Sequence, residues 1–168
     1  MATPRELETE RLLLEPLTIA HADEMAPLLD DPALHTYVGG APLSLEELRE
    51  RYARQERGRS PDGRERWLNW IVRERASGVA VGYVQATVDE ERSAAEVAWV
   101  IGSGFQGRGY AREAAAAMVA RLGEDGIRVI TAHVNPGHVA SAGVARAIGL
   151  APTSVIVDGE VRWERSLG

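Results

Sequence analysis

Apolar residues recur along this chain in two rhythms, and the changes of rhythm divide it into elements. Leu12–Glu15 is a short apolar run that reads as a first strand. Thr18 is a capping residue for a helix running to about Leu29, with Pro27 late in its span. Asp30 to Pro42 has the composition of a loop. Ser44 and Glu47 have capping-box spacing, which predicts a second helix to about Gln55. The polar stretch ERGRSPDGRER that follows reads as a mobile loop.

The rhythm then shortens. Trp67–Glu74, Val79–Asp89 and Ala94–Ile101 are three strand candidates, joined by Arg75–Gly78 and by the charged tip DEER. After a glycine-dense segment, Ala115, Met118, Val119 and Leu122 form one apolar stripe of a helix that Gly123 is placed to end. Val129–Val134 is strand-like and His138–Ile148 helical. Thr153–Val157 and Val161–Ser166 make a closing hairpin around Asp158–Gly159. The order β-α-α-β-β-β-α-β-α-β-β predicts a mixed α/β fold, in which an antiparallel meander runs into one βαβ unit and helices pack on the sheet faces.

Composition narrows the function classes. With 168 residues the chain is expected to form one domain, 1–168. Apolar content of 45% and charged content of 26% are those of a globular domain that can bury a core. The absence of cysteine excludes disulfides and thiolate metal sites and fits a reducing compartment, so a cytoplasmic location is expected. The start, MATPRELETERLLL, lacks a signal-peptide core, and no apolar run approaches membrane-spanning length. A net charge of −6 with 5% aromatic residues argues against nucleic acid as a partner and favours a cationic one. The four histidines have no metal-like spacing, so no metal is expected.

Chemistry concentrates at Gly102–Ala111, GSGFQGRGYA, which lies between a strand pattern and a helix pattern. Glycine lets the main chain approach an anion closely, and a helix start offers unpaired N–H groups, so the segment predicts a phosphate-bearing ligand. Gly102, Gly104 and Gly107 satisfy G-x-G-x-x-G, the dinucleotide fingerprint. The helix-forming residues begin only after Gly109, however, and the next strand ends His133-Val134-Asn135 with no acidic residue for a ribose. A triphosphate-binding Gly-Lys-Ser/Thr loop is excluded because the chain has no lysine.

The second frame, Gln106-Gly107-Arg108-Gly109-Tyr110-Ala111, reads Q-x-x-G-x-A and resembles the acyl-CoA pyrophosphate loop of the GNAT superfamily of N-acetyltransferases. The surrounding AAEVAWVIGSGFQGRGYAREA, the downstream HVNPGHVASAGVARAIGL and the opening ETERLLLEPLTIAHADEM are similar to the RimJ/RimL-like branch, which acetylates ribosomal-protein N-termini. The resemblance covers nearly the whole chain, with its motifs in family order. It implies a GNAT-like, mostly antiparallel sheet with one central βαβ unit. It also implies acetyl-CoA as cosubstrate and a primary amine as acceptor, either a protein N-terminus or a small molecule, and it allows a homodimer. A catalytically silent acyl-CoA-binding domain and a dinucleotide-binding protein are the alternative readings.

On this resemblance, the main chain of Gln106, Gly107, Arg108, Gly109, Tyr110 and Ala111 wraps the pyrophosphate, with Arg108 adding a charge. Ala98, Trp99 and Val100 supply main-chain hydrogen bonds to the pantetheine arm, one of which polarises the thioester carbonyl. Amide formation requires a neutral amine, so a base is needed, and Glu96 and His133 are the two candidates. The Tyr that many family members use on the last helix is Ala145 here. Ser141 matches the branch's Ser and is the candidate donor to the leaving thiolate, or else a helix cap. Asn135 and His138 stand at polar cofactor-contact positions, His138 replacing the usual Asn. Tyr37, Trp67 and Trp70 are candidates for the acceptor side; Trp67 and Trp70, three apart on a strand, cannot share a face.

Overall fold

The computed structural model describes residues 4–36 and 40–168 of the chain. Tyr37 lies outside them. Among the described residues the elements are β1 (Leu7–Glu8), β2 (Leu12–Pro16), α1 (Ala22–Leu29), α2 (Leu45–Glu56), β3 (Glu65–Glu74), β4 (Ala80–Asp89), β5 (Ala94–Ile101), α3 (Tyr110–Glu124), β6 (Val129–Val134), α4 (Val139–Ala147), β7 (Ala151–Val157) and β8 (Glu160–Ser166). One eight-stranded sheet has the order β1-β2-β3-β4-β5-β6-β8-β7. Every neighbouring pair is antiparallel except β5 with β6.

Strand alternation feeds two cores, one on each face of the sheet. Leu68, Trp70 and Val72 of β3, Val84, Ala86 and Val88 of β4, and Ala95 and Val97 of β5 pack with Ala114, Ala115, Met118 and Leu122 of α3. On the opposite face Ile71 and Ala80 pack with Met25 of α1 and with Leu48 and Tyr52 of α2. Trp70 is therefore core, its indole N–H donating to Arg5 O at 2.8 Å. Trp67, one pleat along, stands on the α2 side.

The main expected elements form, with several corrections. The N-terminal helix begins as a 3₁₀ turn, Ile19–His21, before α1. The Asp30–Pro42 region, expected as loop throughout, contains a 3₁₀ turn at Pro32–His35, capped by the Asp31 side chain accepting from the Ala33 N–H. The capping box at Ser44 and Glu47 forms in both directions, at 2.9 and 3.1 Å. The expected loop 56–66 is pinned to the sheet: Trp67 N–H donates to Gly58 O, Ser60 N–H donates to Glu65 O, and Glu65 already belongs to β3. Gly123 does not end α3. It lies inside the helix, and the left-handed turn falls at Gly126, φ 89°. The closing hairpin starts at Ala151, two residues earlier than its β-propensity indicates.

One glycine sets the approach of two strands. A methyl group at Gly82 would sit 2.1 Å from the carbonyl oxygen of Val100 on β5. Backbone cannot yield as a flexible side chain can, so β4 and β5 reach this spacing only without a Cβ. Gly82→Ala is expected to destabilise the fold by at least about 3 kcal/mol, measured as a shift in the urea unfolding midpoint.

Candidate active site

The site begins where a sheet contact stops. β5 and β6 pair in parallel through Ala94–Val129, Ala95–Ile130 and Glu96–Thr131, and no farther. From Val97 onward β5 keeps its β4 partner but has none toward β6, while β6 continues to Val134 against β8. The strands diverge, leaving backbone groups of 97–101 facing a gap that a further extended chain can enter. A cavity of about 1000 Å³ occupies this opening. It is lined by Ala98, Trp99 and Val100, by the loop after β5, and by His133, Asn135, His138 and Ser141.

The loop between β5 and α3 is built as an anion cradle. Gly107 and Gly109 have φ of 79° and 81°, which a side chain would strain, and no atom lies within 4 Å of where a Cβ on Gly107 would be. The first helical N–H to find its acceptor is that of Glu113, which donates to Gly109 O. The N–H groups before it are the unpaired ones of the helix start, and the dipole adds partial positive charge there. Gln106 braces the loop, its amide donating to Ile101 O at 2.9 Å.

A clamp that no motif announced holds this loop from outside. Arg11, in the β1–β2 turn, donates through its guanidinium to Arg108 O at 2.8 Å and to Glu113 Oε1 at 2.8 Å, and lies 4.7 Å from the Tyr110 ring centroid. Burial opposes ionisation of Glu113, but hydrogen bonds from Thr9 and Arg11 outweigh it and hold the carboxyl below the usual range. The Tyr110 hydroxyl donates to Glu74, keeping that carboxyl low and its own pKa raised. Arg108 turns to the same carboxylate, 3.6 Å away, and lies over Phe105. Its side chain is thus engaged outside the cavity, while its main chain remains in the loop. Arg112, which sequence reasoning passed over, lines the cavity and reaches within 3.6 Å of the Cβ position of Gly109. Its only sequence signal was a place in the first turn after the glycines.

The candidate acid–base groups separate by position. His133 lines the cavity. Glu96 lies outside the lining residues, its side chain 58% exposed, and places Oε1 3.4 Å from His133 Nδ1. The pleat puts Glu96, Ala98, Val100 and His133 on one face. Ser141 is the third residue of α4, where His138 holds the N-cap position. The Ser141 hydroxyl faces the cavity and has no hydrogen-bond partner among the described residues, so it is not serving as a cap. Ala145 is fully buried, in the core beneath α4. Asn135 accepts the Gly137 N–H at 2.8 Å and shapes the turn into α4.

The chain matches the acetyltransferase (GNAT) domain model over residues 11–151, and it belongs to that family. It is therefore an acetyltransferase of the acetyl-CoA-dependent type, and the dinucleotide reading of the glycines is set aside. No curated protein sequence matches the chain. Among solved structures, the GNAT-family acetyltransferase from Bacillus anthracis is 18% identical, with 97% of this chain and 99% of that chain covered at a TM-score of 0.79. RimL, a ribosomal α-N-protein acetyltransferase in complex with coenzyme A, is 16% identical over 96% and 98% of the two chains, TM-score 0.79. The microcin C7 self-immunity acetyltransferase MccE, in complex with acetyl-CoA and AMP, is 13% identical over 94% and 93%, TM-score 0.77. These likenesses show a shared fold.

Two outcomes follow from the site's geometry. Arg11→Ala is expected to raise the KM for acetyl-CoA several-fold with a smaller effect on kcat, in steady-state thiol-release assays, because the loop loses its outer support. Burial lowers the pKa of His138 below the ordinary histidine value. The unfolded chain then takes up a proton first, so stability falls as pH drops through the unfolded value and levels off below the folded one. His138→Gln is expected to reduce the loss of Tm between pH 7 and pH 5, and the His138 ring resonance to titrate below that of an exposed histidine.

Proposed function

We propose that the chain is an N-acetyltransferase that moves an acetyl group from acetyl-CoA to a primary amine by direct attack within a ternary complex. The observation carrying this reading is the divergence of β5 from β6 over a cavity lined by both the anion cradle and His133. The residues present fit the cosubstrate. The loop from Gln106 to Ala111 would take the pyrophosphate, with Arg112 supplying the guanidinium that Arg108 directs elsewhere. The unpaired edge of Ala98, Trp99 and Val100 would hold the pantetheine arm, and one N–H would stabilise negative charge developing on the thioester oxygen. Asn135 and His138, in the turn before α4, line the same cavity.

His133 is the general base. It is the candidate that lines the cavity, and Glu96 beside Nδ1 favours a proton there, leaving Nε2 to accept one from the acceptor ammonium, directly or through water. Glu96 is a positioning residue in this scheme. As the thioester C–S bond breaks, the Ser141 hydroxyl donates a proton to the leaving thiolate sulfur and is itself reprotonated from water. The acceptor approaches from the α1–α2 side, where Leu34, His35, Leu43 and Tyr83 line the outer part of the cavity. A single domain over 1–168 that works inside the cell is part of the same reading.

Thiol release from acetyl-CoA against a panel of amines tests it. His133→Gln is expected to lower kcat/KM by about 10²- to 10⁴-fold and to remove the acidic limb of the pH profile. Glu96→Gln is expected to cost less. Wild-type rates for His133→Gln, Glu96→Gln and Ser141→Ala across pH 6 to 9 overturn the acid–base assignment. Tight acetyl-CoA binding with no turnover on any amine overturns the enzymatic reading itself.

A further inference from the structure

A second, smaller cavity of about 230 Å³ lies on the α2 side of the sheet. Arg51 and Arg54 of α2 form one wall, and Trp67, Asn69, Gln85 and Thr87 of β3 and β4 the other. Arg51 also lines the large cavity, so the two spaces share it as a wall residue. Neither arginine has an ion-pair partner among the described residues. Asn69, 8% exposed overall, lines the cavity, and its side-chain amide has no hydrogen-bond partner among them either. The Asn69 amide opens into this cavity, and two adjacent exposed guanidiniums with no ion pair among the described residues give it local positive charge in a chain of net charge −6. Both are accounted for by a polar, anionic ligand group.

The strand register says how this pocket stands to the reaction centre. Asn69 pairs with Gln85, and Gln85 with Ala98, the residue at the thioester gap. Trp67, Thr87 and Glu96 make the parallel row. Two strand spacings separate Asn69 from Ala98, about 10 Å. An α-carboxylate lies too close to its own amine to span that distance. An extended peptide advances about 3.3 Å per residue, so a side chain on its second or third residue spans it.

We propose that this pocket is an acceptor subsite for a peptide N-terminus, and that Arg51 and Arg54 bind the carboxylate of an acidic side chain at the peptide's second or third residue. Asn69 and Gln85 hydrogen-bond its main chain, and Trp67 packs on the chain beyond. The inference rests on the acetyl transfer proposed above and names the acceptor that the transfer serves. It reverses the preference for a cationic partner that the net charge suggests, because the local charge at the subsite is opposite to the global one.

The test compares short synthetic peptides differing only at the second and third residues, Glu, Gln or Lys, together with free glutamate, in thiol-release assays. The expected result for the unaltered protein is a kcat/KM for the Glu peptide about 10- to 100-fold above that for the Gln peptide, mostly through KM, with the Lys peptide lower still. This arm needs no variant. Arg51→Gln and Arg54→Gln, singly and together, are expected to bring the Glu-to-Gln ratio toward one. The double charge reversal to Glu is expected to favour the Lys peptide. Equal use of the three peptides overturns the subsite while leaving acetyl transfer intact. Free glutamate used as well as the Glu peptide overturns the peptide assignment. Failure of every amine overturns this inference together with the reading it rests on.

Discussion

Everything functional in this molecule depends on a parallel contact that ends after three residue pairs. Had β5 and β6 continued in register beyond Glu96 and Thr131, their backbone groups would satisfy one another and no ligand could enter the sheet. Their divergence leaves hydrogen-bonding groups of β5 facing a cavity, in a sheet whose other six strand contacts are antiparallel. The two flanking contacts maintain the opening. β5 is held by β4 across Gly82, and β6 by β8 through six pairs from Val129 to Val134. The sheet is thus fully paired on both sides of the gap and open between them.

The cofactor side of the opening is preorganised by charge. Arg11 joins the β1–β2 turn to the loop and to the first turn of α3, tying together residues about a hundred positions apart. Glu74, at the end of β3, collects Tyr110 and Arg108. These contacts lie on the outer surface, where single ion pairs contribute little to stability. Their work is geometric: they hold left-handed glycines and unpaired N–H groups in a fixed cradle, lowering the cost of ordering the loop when an anion arrives. The α2 side is arranged otherwise: among the described residues Arg51 and Arg54 have no ion-pair partner, and with Asn69 they line a small cavity. Arg11 and Arg108 on one side are paired with carboxylates of the chain itself, whereas Arg51 and Arg54 on the other line a cavity.

The chain by itself determined the order of elements, the two-faced sheet and the place of the anion cradle. Those are local properties. Apolar spacing follows from helix and strand periods, the Ser44–Glu47 box from capping geometry, and the working frame Gln106–Ala111 from where helix-forming residues begin. Local rules failed where a tertiary contact overrode them. Gly123 was the nearer glycine, but the helix runs on to Glu124 and turns only at Gly126, with Leu122 packed into the core. The 56–66 segment looked mobile because its polar residues read as solvated, whereas Ser60 and Asp62 hold the turn and backbone bonds to β3 pin its ends.

Tertiary structure alone decided which residues meet. Glu96 and His133 were both candidates in sequence, with Glu96 favoured, and only the parallel register put His133 against the cavity and Glu96 beside its ring nitrogen. Arg108 and Arg112 sit four positions apart near the same helix start, yet Glu74 draws the first away from the cavity while the second lines it. Arg11 and the Arg51–Asn69 pocket carry no motif, since their meaning comes from strands paired far apart in the chain. Periodicity records what a residue does with its near neighbours. What a side chain does with a carboxylate dozens of residues away, or with a substrate, is fixed only when the sheet closes around it.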